Sequence, residues 1–548
     1  MKKSIVTNSI LLITFLYFST VIAQNLNQQV DTYLASHSTP NGPGASILIA
    51  KNGKVIYKKA VGLANLELNI PLTTDNVFEI GSITKQFTSV SILMLEEQGK
   101  LYLQDEITKY IPDYPTVGKT ITIHHLLNHT SGIKSYTNME SFKKNARKDM
   151  TPTELIDVFK NEPMDFDPGE KFLYNNSGYI LLGHIIEVVS GESYADFIQK
   201  NIFDKIGMTS TYYGSMKKII PKRASGYSDN NGFTNADYLS LTIPYAAGSI
   251  MSTVDDLLIW QNAINTNALI KRSSLEKAIN GSTLNSGEKI PYGYGWIKGS
   301  ISGSTTFEHS GGIFGYTSNG IFLPKENIYV IALSNCDCSN VGEASSRIAA
   351  MAIGKPLPDI NDAITLTESE QQKWLGAYQF EENIIRYITL ENGQLYSQKE
   401  GSAKLEIYPI TKTKFIFESG TTAFEFFEKD GKKQTTFSNS GITFKGFEID
   451  KAPPAEKETI TVSPEILKTY VGKYKLSPDF FIEVTSIGNQ LFAQATGQSQ
   501  FELFAENKTS FYLKVVVAQV VFDKNEKGDV TGLILHQGGQ DIPGIKIE

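Results

Sequence analysis

A serine followed three positions later by a lysine is the first pattern in this chain that could do chemistry. Positions i and i+3 share one face of a helix, so the amine can reach the hydroxyl that it must activate as a nucleophile. The pattern begins at six serines: Ser82, Ser131, Ser141, Ser215, Ser274 and Ser286. If the chain has one active site, at least five of these six matches are accidental, and the pattern alone does not identify a nucleophile.

The residues around Ser82 distinguish it from the other five serines. Phe78-Glu-Ile-Gly81 precedes it, and a long apolar segment follows, which predicts a helix from Ser82 to Gln98. Gly81 allows another backbone segment to come close. A serine at a helix N-terminus also meets free N–H groups and the positive end of the helix dipole, which suit an oxyanion. Ser82 could instead be a helix N-cap, the role that its local sequence alone favours.

Two further motifs could complete an acyl-transfer site, which needs a base for the hydroxyl, two donors for the oxyanion and a proton for the leaving group. Tyr174-Asn-Asn176 lies in a loop before a predicted helix, and His309-Ser-Gly311-Gly312 lies at the edge of predicted strands. Chance matches to these two motifs also occur, without comparable surroundings, at Tyr136-Thr-Asn138 and His536-Gln-Gly538.

The three motifs, in this order, resemble the signature of class C β-lactamases, DD-peptidases and related serine esterases and D-aminopeptidases. Supporting stretches that also resemble this family are Ile123-His-His-Leu-Leu-Asn-His-Thr-Ser-Gly132, Ala247-Gly-Ser-Ile-Met-Ser252 and Tyr292-Gly-Tyr-Gly-Trp296. The resemblance covers roughly residues 30 to 355. It implies that Ser82 is the acylated nucleophile. The base would be Lys85 or Tyr174, either of which must titrate below its usual value near 10 to act at neutral pH.

The resemblance also implies a substrate-binding set. Asn176 would bind the substrate amide, and the backbone N–H groups of Ser82 and Gly312 would form the oxyanion hole beside Gly311. His309 stands where many relatives carry a lysine. A neutral imidazole binds a carboxylate less strongly than an ammonium group does, which favours peptidase or esterase chemistry over β-lactam hydrolysis.

The elements that must position these residues form an α+β pattern. Residues 45–50 and 55–60 are strand-like and are joined through Asn52-Gly53, a strong hairpin signal. Gly- and Pro-separated helical segments follow, including Tyr179–Val189, and strands return at Thr317–Leu323 and Ile328–Leu333. This pattern predicts one antiparallel sheet that both ends of the domain complete around a helical insertion. The resemblance implies that this α+β domain, over residues 24–358, is β-lactamase/transpeptidase-like.

The remaining chain contains a repeat. Trp374-Leu-Gly-Ala-Tyr378 aligns with Tyr470-Val-Gly-Lys-Tyr474 at a shift of 96 positions (470 minus 374), and two later motifs align at the same shift. Pro-rich breaks precede each copy, and both copies alternate apolar and polar residues in short runs. We expect two small all-β barrels or sandwiches, at 366–452 and 463–548. At least one D-aminopeptidase type resembles this layout, with two carboxy-terminal β-barrels.

The leader and the charge limit the classes of function. Lys2-Lys3, an apolar run and Val21-Ile-Ala23 predict a signal peptide over residues 1–23, hence an exported protein, periplasmic or secreted, without stable membrane insertion after cleavage. Removing the two leader lysines leaves 49 basic against 58 acidic residues, a net of −9. This balance argues against a nucleic-acid partner.

We expect no metal and no cofactor. The chain has two cysteines, Cys336 and Cys338, which lack the further ligands of a structural zinc site and are too few for a disulfide framework. His124, His125 and His129 are interpreted as packing residues of a helix and loop. Tyr292, Tyr294 and Trp296 could line the cleft or pack in the core.

The function expected from these patterns is hydrolysis of a small peptide or ester through an acyl-enzyme, on D-amino-acid peptides or peptidoglycan fragments in a DD-carboxypeptidase, D-aminopeptidase or esterase. A class C-like β-lactamase is one alternative. The other is a catalytically silent receptor of the penicillin-binding fold, although intact Ser82, Lys85 and Tyr174 argue against it. The oligomeric state and the role of the repeats stay open.

Overall fold

The protein is described by a computed structural model that covers residues 26–139, 141–229, 232–380, 384–418, 420–439, 442–454, 459–477, 480–496, 500–537 and 540–547. The chain forms two compact units, Met1–Leu357 and Pro358–Glu548. The predicted signal peptide, residues 1–23, lies outside the described residues. Within the described ranges, none of the helices has the length and apolar character needed to cross a bilayer.

An antiparallel six-stranded sheet forms one layer of the first unit. Its strands follow the spatial order Ile297–Ile301, Ser304–Ile313, Tyr316–Leu323, Ile328–Ser334, Ala45–Lys51 and Lys54–Val61. The predicted hairpin is present, with Asn52 and Gly53 at φ 52° and 74° in its turn. Ala45 pairs with Ser334, so the first strand of the unit lies beside its last, as the sequence predicts. The α+β fold class is therefore confirmed.

Helices and short strands occupy the chain between the two parts of this sheet. The helices of the first unit are residues 26–37, Thr84–Glu97, Ile123–Leu127, Ser141–Asn145, Pro152–Phe159, Asn176–Ser190, Tyr194–Ile198, Asp204–Ile206, Tyr245–Gly248, Val254–Asn265, Arg272–Ile279 and Val341–Ala352. The short strands are Leu63–Asn65 with Ile70–Pro71, Phe78–Glu79 with Ile250–Ser252 and Tyr212–Tyr213, Tyr227–Asp229 with Phe233–Asn235, and Ser282–Thr283 with Lys289–Ile290.

The helix Thr84–Glu97 is the centre of the main core, because every residue from Thr84 to Leu95 is buried. It packs against the helix Asn176–Ser190. The sequence predicts that this helix starts at Ser82, which is wrong by two residues. Gly81 adopts φ 50° and Gly81–Ile83 form a tight 3₁₀ turn, after which the α-helix begins at Thr84.

The helix Asn176–Ser190 is bounded by local signals. The Asn175 side chain accepts a hydrogen bond from Gly178 N, which satisfies a free donor of the first turn. Gly191 ends the helix at φ 76°, a left-handed conformation that costs glycine little. The helix therefore begins three residues before the predicted Tyr179, directly after the Tyr174 segment.

The two cysteines are joined to each other. Cys336 and Cys338 form a disulfide that encloses a single intervening residue, in the turn after the strand Ile328–Ser334. This bridge is local, and it does not connect distant parts of the chain.

The second unit contains two closed antiparallel barrels of eight strands each. The strands of the first are Gly376–Gln379, Ile385–Glu391, Gln394–Lys399, Lys404–Pro409, Lys414–Ile416, Thr422–Lys429, Lys432–Asn439 and Ile442–Ile449. Those of the second are Gly472–Ser477, Phe480–Ile487, Gln490–Ala495, Gln500–Ala505, Ser510–Tyr512, Ala518–Lys524, Val530–Gln537 and Gln540–Lys546. A short helix precedes each barrel, Glu368–Lys373 and Pro464–Tyr470. The first and last strands of each barrel pair, which distinguishes a barrel from a sandwich.

Equivalent residues of the repeat make equivalent contacts. Tyr378 Oη donates to the Trp374 carbonyl oxygen at 2.9 Å, and Tyr474 Oη donates to that of Tyr470 at 2.7 Å. The Trp374 and Tyr470 side chains in turn donate to the carbonyl oxygens of residues 412 and 508. Equivalent residues of the two copies are 96 positions apart, so the repeat found in the sequence is also a repeat of hydrogen bonds.

Candidate active site

The Ser82 hydroxyl and the Lys85 amine meet at the start of the buried helix. Lys85 Nζ lies 3.0 Å from Ser82 Oγ. Neither the 3₁₀ turn nor the helix that follows it has a side-chain cap, so Ser82 does not act as an N-cap. In two of the competing motifs the lysine forms an ion pair with a carboxylate, Lys134 with Asp165 and Lys277 with Glu96.

Lys85 is fully buried and holds its amine between three oxygen atoms. Besides Ser82 Oγ, Nζ lies 2.8 Å from Asn176 Oδ1 and 2.9 Å from the Ala247 carbonyl oxygen. Burial lowers the pKa of Lys85 well below its usual value near 10.5. An uncharged amine has two N–H bonds and one lone pair. Because the two carbonyl oxygens can only accept, they take the N–H bonds and leave the lone pair facing the Ser82 hydroxyl.

The Tyr174 side chain lies over the same amine. Lys85 Nζ is 4.8 Å from the centre of the Tyr174 ring. Burial raises the pKa of the Tyr174 phenol above its usual value near 10, and contact with the Ser82 hydroxyl lowers it by less. Burial therefore favours the protonated phenol of Tyr174 and the uncharged amine of Lys85.

Asn176 is fixed in one amide orientation by its two partners. Its Oδ1 accepts from Lys85, and its Nδ2 donates to Thr137 Oγ1 at 3.0 Å. Its backbone N–H donates to Ser135 Oγ at 3.2 Å. Asn176 is thus attached both to Lys85 and to the 3₁₀ turn Tyr136–Asn138.

The strand Ser304–Ile313 brings Gly311 and Gly312 to the nucleophile. A Cβ atom at Gly311 would lie 2.1 Å from the Ile80 carbonyl oxygen, and one at Gly81 would lie 3.0 Å from Gly312 N. Ser318 Oγ donates to Ile80 O at 2.8 Å and ties the neighbouring strand to the same turn. A Cβ at Gly312 itself would meet no atom within 4 Å. The backbones of Gly81 and Gly312 are therefore adjacent, with open space beside Gly312.

His309 is buried and neutral. Its Nδ1 lies 2.6 Å from its neighbour's carbonyl oxygen, that of Ser310, and its Nε2 lies 2.9 Å from Tyr292 Oη. Since a carbonyl only accepts, Nδ1 carries the proton and Tyr292 donates to Nε2. Burial, with a smaller contribution from Lys85, lowers the pKa of His309 to about 3.

The structure thus brings together the predicted residues Ser82, Lys85, Tyr174, Asn176, His309, Gly311 and Gly312. The structure adds three partners that the sequence does not predict. Ala247 and Tyr292 lie in two of the stretches that resemble the family, and Thr137 lies in the chance match Tyr136-Thr-Asn138. The other chance match, at His536, belongs to the second barrel, where His536 pairs with Asp541.

The histidines of the 123–132 stretch have separate partners. His124 Nδ1 lies 2.7 Å from Tyr294 Oη, and the His125 ring accepts from Thr122 N as part of a capping box. His129 Nδ1 lies 3.1 Å from Asn175 N. Across the ranges that the structure describes, no three side chains of His, Cys, Asp or Glu are grouped as a metal site requires.

Comparison with known proteins gives matches over most of the chain. Residues 25–355 match the family model described as Beta-lactamase, and residues 456–545 match one described as a domain of unknown function, DUF3471. Penicillin-binding protein 4* of Bacillus subtilis (strain 168) is 30% identical over 427 residues, which cover 74% of this chain and 94% of that protein.

Two solved structures are similar to the chain. The octameric penicillin-binding protein homologue from Pyrococcus abyssi has a TM-score of 0.55 and 28% identity, over 77% of this chain and 99% of that one. The D-stereospecific amidohydrolase from Streptomyces sp. has a TM-score of 0.52 and 25% identity, over 60% of this chain and 98% of that one.

Proposed function

The chain belongs to the beta-lactamase family, and we propose that it is a serine hydrolase in which small ester or peptide substrates acylate Ser82. The observation that carries this proposal is the position of the Lys85 amine, 3.0 Å from Ser82 Oγ and bound to two carbonyl oxygens. This arrangement suits a neutral base directed at a nucleophile.

In acylation, Lys85 takes the Ser82 proton while Oγ forms a bond to the substrate carbonyl carbon. The carbonyl oxygen gains the electron pair, and the backbone N–H groups of Ser82 and Gly312 stabilise it. When the tetrahedral intermediate collapses, the bond to the leaving group breaks and Tyr174 protonates that group. The Lys85 ammonium then returns a proton to the Tyr174 phenolate, the centre of whose ring lies 4.8 Å from Nζ. Both residues end in their starting state, beside an ester on Ser82.

In deacylation, a water molecule attacks the acyl carbon and gives its proton to Lys85. The acyl–Ser82 bond breaks, and the proton passes to Oγ, which regenerates the free enzyme. Lys85 is the base in both half-reactions because burial lowers its pKa, whereas burial raises that of Tyr174.

The substrates that we propose are esters and peptides, with D-amino-acid peptides as the leading class. Neutral His309 offers no positive charge to a substrate carboxylate, which β-lactams and carboxypeptidase substrates carry. The similarity to a D-stereospecific amidohydrolase supports D-residues. This similarity bears on the substrate class and not on one particular substrate. Hydrolysis rates of paired D- and L-aminoacyl amides test the proposed preference for D-residues.

We also propose that the protein is exported after cleavage near Ala23. The leader residues Lys2-Lys3 and Val21-Ile-Ala23 support this proposal. N-terminal sequencing of the mature protein from its native host should begin at Gln24, and retention of the leader would contradict export by this route.

The deciding experiment is the intact mass of the protein after incubation with a fluorophosphonate and, separately, with a penicillin. We expect one fluorophosphonate adduct, which Ser82→Ala abolishes. Ser215→Ala is the matched control, because Ser215 belongs to the same Ser-x-x-Lys pattern but binds the backbone N–H groups of Lys217 and Lys218. Labelling that persists in Ser82→Ala would overturn the proposal. A folded protein with no adduct would favour the receptor alternative.

A further inference from the structure

His129 contacts the Tyr174 segment at two backbone positions. Leu173 N donates to the His129 carbonyl oxygen at 3.1 Å, and Asn175 N donates to His129 Nδ1 at 3.1 Å. These two donors are the backbone N–H groups immediately before and after Tyr174. His129 thus holds the backbone of Leu173 and of Asn175, the two residues on either side of Tyr174.

The His129 ring also packs on the Tyr174 ring. Their centres are 4.3 Å apart, and the Tyr292 ring lies 4.5 Å from His129 on the same buried cluster. His129 is 1% exposed and adopts φ 62°, in the left-handed region that non-glycine residues rarely occupy. A strained backbone at a fully buried residue persists only where its surroundings hold it in place.

The partners of His129 determine its tautomer. Because Asn175 N donates to Nδ1, that atom carries a lone pair and the proton is on Nε2, the reverse of His309. Nε2 is buried and makes no hydrogen bond to the described part of the chain. Burial, with smaller contributions from the nearby Lys85 and His309 side chains, keeps the pKa of His129 well below its usual value. The ring is therefore a permanent acceptor for the Tyr174 segment at neutral pH.

We propose that His129 is a positioning residue that holds Tyr174 in place to protonate the leaving group. This role rests on the proposed function, in which Tyr174 is the proton donor. His129 does not touch the reacting atoms. Loss of His129 should therefore lower kcat/KM most for substrates whose leaving group needs a proton.

Two substitutions separate the hydrogen bond from the bulk of the side chain. In His129→Asn the amide oxygen takes the place of Nδ1, and asparagine tolerates the left-handed backbone. In His129→Gln the amide lies one carbon further out, and the acceptor for Asn175 N is lost. Asparagine should therefore rescue the function that glutamine loses.

The test compares two esters of one acyl group, a p-nitrophenyl ester and a methyl ester. Nitrophenolate leaves without a proton, whereas methoxide requires one. We expect His129→Gln to lower kcat/KM about 100-fold for the methyl ester and less than about 5-fold for the p-nitrophenyl ester, since general acid catalysis contributes roughly 10²–10⁴-fold. His129→Asn should stay within about 5-fold of the unsubstituted protein on both esters. Each rate is divided by the concentration of protein that the fluorophosphonate labels, so that unfolded molecules do not enter kcat/KM.

Equal losses of kcat/KM on the two esters in His129→Gln would overturn the positioning role, because a general structural defect affects both. If His129→Gln does not fold, a folded His129→Asn that loses about 100-fold on the methyl ester would overturn it as well. Absence of any Ser82 adduct in the unsubstituted protein would instead overturn the proposed function, and the role of His129 with it.

Discussion

Gly311 and Ile80 are in backbone contact so close that a Cβ atom at position 311 would lie 2.1 Å from the Ile80 carbonyl oxygen. This contact joins the strand Ser304–Ile313 to the turn that carries Ser82. We predict that Gly311→Ala pushes the strand away, lowers the free energy of unfolding by about 1–3 kcal/mol and abolishes fluorophosphonate labelling.

Gly342→Ala is the matched control for this prediction. A Cβ at Gly342 would approach only Asn340 Oδ1, at 3.9 Å, and the residue lies in the helix Val341–Ala352. It should raise stability by roughly 0.5–1 kcal/mol because alanine favours a helix more than glycine does. Thermal unfolding measures the change in stability of each variant, and the intact mass measures its fluorophosphonate labelling. Full labelling of Gly311→Ala would show that the close contact is not required.

Replacing the buried amine should remove the base without removing the helix. We predict that Lys85→Met lowers kcat/KM by about 10²–10⁴-fold, as expected for loss of a general base. The equivalent change at the exposed Lys100 should leave kcat/KM unchanged. Activity of Lys85→Met near the unsubstituted level would assign the base to another group.

The lowered pKa of Lys85 also predicts how stability depends on pH. In the unfolded chain the amine titrates near 10.5, while in the folded protein it is already neutral at lower pH. The unfolded state then binds more protons, so this group makes stability rise with pH from the folded pKa up to about 10.5. Lys85→Met should flatten this rise in urea unfolding measured across that range, and an unchanged slope would contradict the burial effect.

Glu308 predicts the opposite slope at lower pH. Burial raises the pKa of its carboxyl from 4.5 to about 7. Between these two pH values the folded state holds a proton that the unfolded state releases. The contribution of Glu308 to the free energy of unfolding therefore falls as the pH rises from about 4.5 to about 7. Glu308→Gln should reduce that fall, as measured by urea unfolding at pH 5 and pH 7. A fall that is as steep or steeper in the variant would contradict a raised pKa at this half-buried carboxyl.

The repeated tyrosines predict equal effects in the two barrels. Tyr378→Phe and Tyr474→Phe each leave a buried carbonyl oxygen, at Trp374 and Tyr470, without its donor. Each should lower the stability of its own barrel by about 1–3 kcal/mol. Hydrogen exchange of the affected strands is the measurement, because a protein with several domains need not unfold in one step. If either variant exchanged faster only in the barrel that carries no substitution, the two tyrosines would not have equivalent roles.

The parts of this protein that depend on local patterns could be predicted from the sequence. The Asn52-Gly53 turn, the apolar segment after Ser82 and the 96-residue repeat each record a preference of a short segment, and the structure confirms the α+β domain and two β-barrels. The motifs at Ser82, Tyr174 and His309 identified the family, because their order along the chain is itself the signal.

How these residues act on one another depends on tertiary packing. The pKa directions that separate Lys85 from Tyr174 arise from burial, which depends on packing between segments distant in the chain. The sequence predicts a packing role for His129, because Leu126 and Leu127 separate it from His124 and His125 and because the stretch resembles the family. The contacts of His129 with Leu173 and Asn175 exist only after folding brings residues more than 40 positions apart into contact, and no local preference encodes such a contact.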